Sequence, residues 1–302
     1  MKVLIISGGT SSERKISLIS AKGVGEALKQ EGFEVKIFDL KKGYPELKKL
    51  AKKFDVIFPV IHGEEGEGGK LHKFLSKTGK PFVGGSWKGF KKGWYKIPCK
   101  IFCDQNNIPT AAWKKIKTIE DVKRFGLPCV AKSTNGGSSK EVVILKTPAD
   151  LKKSLFLNLF KLNQPLYVEK FLPGTEITVG ILDNKALPVM EIIPPQSSAW
   201  FDYKSKYSGE TREIPDAPSI SPEARKQAQD IALKIHQTLN LGPYSRIDFI
   251  VPSHISSGNT NPQLLEVNTI PGMTPTSLFP KAAQAAGYTF PKLVKKLIEL
   301  SL

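Results

Sequence analysis

Short apolar runs alternate with amphipathic stretches over residues 1–85. Apolar runs stand at "KVLIIS", "EVKIF" and "DVIFPV", and a fourth candidate is "PFVGG". Between them, apolar residues recur at helical spacing around 17–30, 44–53 and 69–78. Strands and helices that alternate in this way form βαβ units around a parallel sheet. The pattern therefore predicts an α/β domain with a parallel sheet, whose ligands bind at the loops that follow its strands.

Two further regions follow, at 86–180 and 181–302. The first contains "LPCVAKSTNGGSSKEVVILK", which predicts a strand, a Gly/Ser-rich loop and a second strand. The second begins with the strand "ALPVMEIIP" and continues as a long polar loop over 195–219. Aromatic residues within this loop favour a lid over a disordered segment. A helix at about 221–240, two strands and two closing helices complete the predicted order of elements.

Those two strands carry polar side chains on one face each. In "YSRIDFIV" the shared face holds Arg246 and Asp248, and in "LLEVNTIPG" it holds Glu266 and Asn268, because side chains alternate with period two. If the strands pair as a hairpin, three of these side chains can converge on a hard cation such as Mg²⁺. The alternative is a pair of edge strands with polar outer faces. The opposite face of the second strand is expected to carry Leu265, Val267 and Thr269.

Two glycine-rich loops are candidates for ligand binding. The loop after Lys132 is rich in Gly and Ser, so its backbone N–H groups suit phosphate, although a plain hairpin turn is the alternative. The loop "SGGTSSER" lacks the G-x-G-x-x-G spacing of a dinucleotide site. Its acid, Glu13, either holds a substrate amine or simply faces the positive end of the following helix.

Composition narrows the class of protein. Of 302 residues, 45 are Lys or Arg and 28 are Asp or Glu, which gives a net charge of +17. The lysines are spread along the chain without a nucleic-acid-binding module, so we interpret them as a solvated surface. "MKVLIISGGT" has neither signal-peptide nor membrane-span character, which predicts a cytoplasmic protein. The three cysteines lack metal-binding spacing and are expected to be free buried thiols.

Seven motifs, in chain order, resemble those of the D-alanine–D-alanine ligases, members of the ATP-grasp superfamily. They are "GGTSSER", "HGEEGEGG", "GLPCVAKSTNGGSS", "YVEKFLPGTEITV", "FDYKSKYSGET", "YSRIDF" and "LLEVNTIPGMTPTSL". The resemblance implies an α/β protein with an ATP-grasp fold. Its domains are expected at 1–85 (Rossmann-like, on the first-substrate side), 86–180 (central, with the phosphate loop) and 181–302 (C-terminal, with the lid and the metal site).

The resemblance also implies a function. Such ligases use ATP and two Mg²⁺ ions, for which Mn²⁺ can substitute, to join two D-alanines through an acyl phosphate for peptidoglycan precursor synthesis. The implied partners are the small-molecule substrates and a second copy of the chain in a homodimer, with no nucleic acid and no membrane. Two alternatives remain open: another ATP-grasp carboxylate–amine ligase with altered substrates, and a non-catalytic nucleotide-binding homologue.

The same resemblance assigns roles to individual residues. Catalytic roles fall to Glu13, Ser138, Tyr207, Arg246 and Gly272. Nucleotide contacts fall to Lys96, Lys132, Ser139, Glu169, Lys170, Leu172, Glu176 and Lys206. The substrate positions are His62, Ser277 and Leu278, and the metal ligands are Asp248, Glu266 and Asn268. The lid sequence "SKY" resembles that of dipeptide-forming ligases, so D-alanine is the expected second substrate.

Several positions depart from the family pattern. The phosphate loop, usually Glu-Gly-Ser-Ser-Val-Gly, reads "GGSSKE", with Gly136, Lys140 and Glu141 as the changed residues. Since Glu141 cannot cheaply adopt the positive φ open to glycine, we expect altered loop geometry and slower turnover. Elsewhere, the aspartates of the pattern are replaced by Gly68 and Tyr95.

Overall fold

The computed structural model describes residues 1–135, 141–195, 211–253 and 261–302. The strands are β1 Lys2–Ser7, β2 Glu34–Asp39, β3 Val56–Pro59, β4 Trp113–Ile116, β5 Cys129–Ser133, β6 Val142–Leu145, β7 Leu166–Lys170, β8 Gly174–Leu182, β9 Lys185–Ala186, β10 Met190–Ile193, β11 Arg212–Pro215, β12 Tyr244–Pro252 and β13 Gln263–Asn268. The α-helices are α1 Arg14–Gln30, α2 Tyr44–Ala51, α3 Glu64–Glu67, α4 Lys70–Leu75, α5 Trp87–Trp94, α6 Lys96–Asn106, α7 Ile119–Phe125, α8 Ser154–Leu159, α9 Pro222–Leu239, α10 Leu278–Ala285 and α11 Phe290–Glu299.

The first sheet is parallel, with strand order β2-β1-β3, as predicted. Both faces of β1 are buried, because Val3 and Ile5 join one hydrophobic cluster while Leu4 and Ile6 join another. Continuous apolar runs are typical of such two-sided burial. The fourth predicted strand, "PFVGG", is reduced to an isolated bridge between Ile57 and Phe82.

Two antiparallel sheets follow. The central one has the order β4-β7-β5-β6, and the larger one runs β11-β10-β8-β12-β13, with β9 paired to β8. The whole of β8 pairs with β12, so residue 180, the predicted end of the central region, falls within a strand of the larger sheet. The part of the predicted lid that the structure describes includes the strand β11, which pairs with β10. The rest of that lid, 196–210, lies outside the described residues.

The last two helices connect the ends of the chain. Leu293 and Val294 of α11 share a hydrophobic cluster with Val3 and Ile5 of β1. This packing brings the loops of the first sheet beside the larger sheet. Among the described residues, no helix combines the length and apolarity needed to cross a membrane. The expectation for the cysteines is confirmed: they are free and buried at Cys99, Cys103 and Cys129.

One buried histidine of α4 packs against two phenylalanine rings. His72 is fully buried, with its ring centroid 3.9 Å from that of Phe90 and 5.7 Å from that of Phe82. Burial lowers the pKa of His72 to about 3, and the nearby Gly66 backbone opposes this effect only weakly. Folding therefore requires the neutral imidazole.

This burial predicts a loss of stability in mild acid. The unfolded histidine titrates near pH 6.5, so acidification from pH 7.5 to 5 stabilises the unfolded state by about 2 kcal/mol through this one group. We expect His72→Gln to remove that part of the pH dependence when urea midpoints are compared across this range. His236, whose burial lowers its pKa to about 4, leaves the variant a residual slope. Parallel pH profiles for the variant and the parent protein would contradict the assignment.

Candidate active site

Two adjoining cavities lie where the three sheets meet. The larger has a volume of about 400 Å³ and contains Glu13, His62 and Arg246 in its wall. The smaller has a volume of about 150 Å³ and is lined by residues of β5, β7, β12 and β13. The wall between them is shared, since Lys96, Leu265 and Glu266 line both. The two cavities are therefore neighbours on either side of these three side chains.

The strands β12 and β13 form the predicted hairpin. They pair antiparallel, with Arg246 opposite Asn268 and Asp248 opposite Glu266. The side chains do converge, because Asn268 Nδ2 donates a hydrogen bond to Asp248 Oδ2 at 2.9 Å. The alternative of a pair of edge strands is wrong for β12, which lies inside its sheet between β8 and β13, whereas β13 does form the edge of the sheet.

A bulge corrects the expected orientation of one residue. The register shifts after Asp248, so that Phe249 pairs with Leu264 and Leu265 is the extra residue. Leu264 is buried in the hydrophobic core with Val267, whereas Leu265 lines both cavities. The assignment of Leu265 to the core face was wrong because strict alternation cannot anticipate a bulge, and bulges re-aim side chains near functional sites.

Arg246 and Asp248 form a two-pronged ion pair along β12. Arg246 Nε donates to Asp248 Oδ1 at 2.9 Å, and Nη2 donates to Oδ2 at 2.8 Å. Thr178 of β8 adds a third hydrogen bond to Oδ1 at 2.5 Å. Burial alone would lower the pKa of Arg246, but the charges of Asp248 and Glu266 outweigh it and raise that pKa. The guanidinium is therefore a fixed, permanent cation in the wall of the larger cavity.

The oxygen donors of the hairpin suit a hard divalent cation. Two carboxylates and one amide oxygen are the ligand types that Mg²⁺ prefers. Within the described ranges, no cluster of three or more His, Cys, Asp or Glu is arranged as a metal site, so a site here depends on the amide of Asn268. The donor set fits the expected metal, and Asp248 would have to divide its oxygens between that ion and Arg246.

An acidic group lines one end of the larger cavity. Glu13 precedes α1 and lines the cavity, and its side chain makes no capping hydrogen bond to the helix. Burial lowers the pKa of His62, with Glu13 opposing only in part, so the imidazole is neutral. Burial, and then the charge of Glu13, raise the pKa of Glu67 well above its ordinary value. Two of these three groups are acids, which favours a cationic ligand such as an ammonium in this part of the cavity.

Glu67 was missed by sequence reasoning. Its Oε2 accepts the Gly63 N–H at 2.8 Å, and Thr269 Oγ1 donates to its carbonyl oxygen at 3.3 Å. These bonds tie the loop after β3 to the end of the metal-ligand strand. The available signal was the acid-rich motif "HGEEGEGG", which contains three glutamates and does not indicate which of them is buried.

The opposite end of the larger cavity contains the start of α10. Ser277 precedes the helix and its Oγ accepts the Thr274 N–H at 3.2 Å, while Gly272, Ser277 and Leu278 all line the cavity. A Cβ on Gly272 would lie 2.9 Å from Ser277 Oγ, so a side chain at this position would displace that hydroxyl. The N-terminus of a helix favours a carboxylate ligand. The cavity thus offers acidic groups at one end and an anion site at the other.

The smaller cavity combines an apolar slot with charged residues. The structure brings together six of the eight sequence-predicted nucleotide contacts here: Lys96, Lys132, Glu169, Lys170, Leu172 and Glu176. Lys132 Nζ lies 2.5 Å from Glu169 Oε1. Sequence reasoning missed Lys100, whose Nζ lies 2.5 Å from Glu169 Oε2. The apolar walls include Val130, Ile144 and Phe171.

Some predictions cannot be placed, and some departures from the family pattern have a physical explanation. The predicted positions outside the described residues are Ser138, Ser139, Lys206 and Tyr207, together with the changed loop residues Gly136 and Lys140. Glu141 is described, and it is not among the residues with positive φ. The expected backbone conflict therefore does not arise at Glu141. Its carboxylate accepts a hydrogen bond from Gln164 Nε2 at 2.8 Å. At Gly68 a Cβ would lie 2.4 Å from the Glu64 carbonyl oxygen, which explains the missing side chain.

Comparisons with known proteins agree with this geometry. Residues 102–299 match the family described as "D-ala D-ala ligase C-terminus". The chain is 38% identical to the D-alanine–D-alanine ligase of Maridesulfovibrio salexigens over 99% of its own length and 98% of that protein. It is 35% identical to the ligase of Halalkalibacterium halodurans over 100% of this chain and 99% of that one. The chain belongs to the D-alanine–D-alanine ligase family.

Solved structures of the family confirm the expected fold. The D-alanine–D-alanine ligase of Bacillus anthracis has a TM-score of 0.85 and 29% identity, with 100% of this chain and 97% of that one covered. The same enzyme complexed with ATP has a TM-score of 0.83 and 28% identity, with the same coverage. The ATP-grasp architecture predicted for this family member is therefore correct.

The Arg246–Asp248 pair of this family member generates a prediction on stability. Their side chains are only 11% and 7% exposed, so Asp248→Asn leaves a buried guanidinium without its counter-charge. We expect the free energy of unfolding in urea to fall by about 3 kcal/mol or more. Asp230→Asn is the matched control, because Asp230 and Lys226 are 59% and 69% exposed and such pairs contribute less than about 1 kcal/mol. Equal losses in the two variants would contradict the analysis.

Proposed function

We propose that the protein joins two D-alanines in an ATP-dependent reaction, supplying D-alanyl-D-alanine for peptidoglycan precursors. The observation that carries this proposal is the shared wall between the two cavities. It allows a phosphate donor in the smaller cavity to meet a carboxylate held in the larger one, at Lys96 and Glu266. The names of the full-length relatives support the choice of substrates.

ATP is proposed to occupy the smaller cavity. The adenine enters the apolar slot, and Glu169, Lys170, Leu172 and Glu176 contact the base and ribose. Lys96 and Lys132 then face the phosphates, joined by Ser139 and Lys206 as the family resemblance implies. Two Mg²⁺ ions held by Asp248, Glu266 and Asn268 would neutralise phosphate charge, and Mn²⁺ can replace them.

The first D-alanine is proposed to bind with its ammonium at Glu13, near His62. Its carboxylate oxygen attacks the γ-phosphorus of ATP, and the bond from that phosphorus to the bridging oxygen of ADP breaks. This yields an acyl phosphate and ADP. Because the protein forms no covalent bond with the substrates, catalysis consists of positioning and charge stabilisation.

The second D-alanine is proposed to bind with its carboxylate at Ser277 and Leu278. Its ammonium first loses a proton to solvent, and the resulting amine attacks the acyl carbon. Phosphate departs with the electrons of the carbon–oxygen bond, and the nitrogen releases its second proton to that phosphate. Arg246 and the Gly272 N–H stabilise the oxyanion that forms between the attack and the departure of phosphate. Ser138 and Tyr207 are proposed, by resemblance, to link Glu13 to the closed lid.

The finer organisation is proposed on the same basis. The three regions 1–85, 86–180 and 181–302 serve the first substrate, the nucleotide, and the lid with the metals. We propose a homodimer acting in the cytoplasm, where its substrate ATP is made. Sedimentation velocity distinguishes the homodimer from a monomer.

This reaction is tested by phosphate release from ATP and Mg²⁺ with D-alanine, L-alanine, D-serine, D-lactate or no second substrate. We expect release only with D-alanine, together with D-alanyl-D-alanine in the product mixture. Asp248→Ala, which lacks a metal ligand and the partner of Arg246, should lose at least about a hundredfold in rate. Release with another acceptor alone would indicate a different carboxylate–amine ligase. ATP binding without release under any condition would contradict the enzymatic proposal.

A further inference from the structure

A buried carboxylate held between two lysines forms the floor of the smaller cavity. Glu169 is 2% exposed, and its two oxygens lie 2.5 Å from the ammonium groups of Lys132 and Lys100 respectively. The side chain of Lys100 is 4% exposed and that of Lys132 is 12% exposed. The proposed reaction uses Lys132 and Glu169 but assigns nothing to Lys100.

The two lysines differ in how they are held. Lys100 Nζ also donates a hydrogen bond to Thr110 Oγ1 at 2.5 Å, and Thr110 Oγ1 donates in turn to the Leu264 carbonyl oxygen at 2.9 Å. Lys100 lies in the wall of the larger cavity, behind Glu169, whereas Lys132 lines the smaller cavity itself. Lys132 can therefore turn towards a phosphate in that cavity, while Lys100 stays where it is.

The charge on Glu169 depends on these partners. Burial favours the neutral carboxyl, but the charges of Lys100 and Lys132 outweigh it and lower the pKa of Glu169 to about 2. Once Lys132 is engaged by a nucleotide phosphate, Lys100 is the cation that remains in contact with this carboxylate among the described residues. A buried carboxylate without a counter-ion takes up a proton instead.

The protonation state decides which purine is accepted. An ionised carboxylate only accepts hydrogen bonds, which matches the 6-amino group of adenine. A neutral carboxyl can donate one, which matches the 6-oxo group of hypoxanthine or guanine. A buried polar group that meets the wrong partner discriminates strongly between such bases.

We propose that Lys100 determines nucleotide specificity by holding Glu169 as a carboxylate, so that the smaller cavity selects adenine over 6-oxopurines. Lys100 is thus a positioning residue that acts on the nucleotide through Glu169. The inference rests on the proposed nucleotide site in the smaller cavity.

The test compares ATP with ITP, which differ at the purine 6-position. In the full-length protein, Lys100→Met removes the charge at nearly constant length, and Lys100→Arg keeps it. Steady-state kcat and KM are measured for both nucleotides and for D-alanine, and nucleotide affinities are measured by calorimetry. Lys123→Met is the control, since that lysine is 57% exposed and lines neither cavity.

For Lys100→Met we expect the ratio of kcat/KM for ATP to that for ITP to fall roughly tenfold or more. The change should appear in the nucleotide KM, leaving the KM for D-alanine within about twofold of the parent value, because the charge acts only on Glu169. Lys100→Arg should restore much of the preference for ATP. If Lys100→Met does not fold, Lys100→Gln removes the same charge and keeps a polar end against Thr110.

Three outcomes separate this inference from the proposed function. Failure of the parent protein to bind either nucleotide would overturn the nucleotide site itself. A parent that prefers ATP, with Lys100→Met or Lys100→Gln folded and equally selective, would overturn the role of Lys100 alone. Equal losses with ATP, ITP and D-alanine would mean that Lys100 is merely structural, which also overturns the proposal.

Discussion

The register between β12 and its two neighbours is the constraint on which the site depends. Asp248 of β12 contacts Thr178 of β8 on one side and Asn268 of β13 on the other. A slip of one residue in either pairing would exchange these polar side chains for the core residues beside them. The hydrophobic face of β12, with Ile247 and Phe249 fully buried, prevents such a slip. Core packing thus fixes the positions of the proposed metal ligands.

Around this hairpin, buried charged side chains lie in contact with side chains of opposite charge. Arg246 is balanced by Asp248, and Glu169 is balanced by Lys100 and Lys132. Glu13 and Glu67 line the larger cavity beside a neutral His62, and burial holds the pKa of Glu67 well above its ordinary value. A substrate ammonium bound beside Glu67 would favour its ionised form.

Sequence patterns predicted those parts of the site that obey a simple period. Alternation with period two identified Asp248, Glu266 and Asn268, and βαβ periodicity identified the parallel sheet. The bulge at Leu265 was not predictable, because one extra residue leaves the apolar pattern almost unchanged. Lys100 and Glu67 were missed because their burial results from packing between distant elements. For Lys100, the available signal was its spacing from Lys96, one helical turn away in "KIPCK".

The most direct test of the account follows an oxygen atom. The protein is incubated with ATP, Mg²⁺ and D-alanine carrying ¹⁸O in its carboxylate, and the released phosphate is examined by mass spectrometry. Attack of that carboxylate on the γ-phosphorus predicts that one labelled oxygen passes into each phosphate while D-alanyl-D-alanine forms. Dipeptide formation with unlabelled phosphate would contradict the central claim that the two cavities meet to activate a carboxylate as an acyl phosphate.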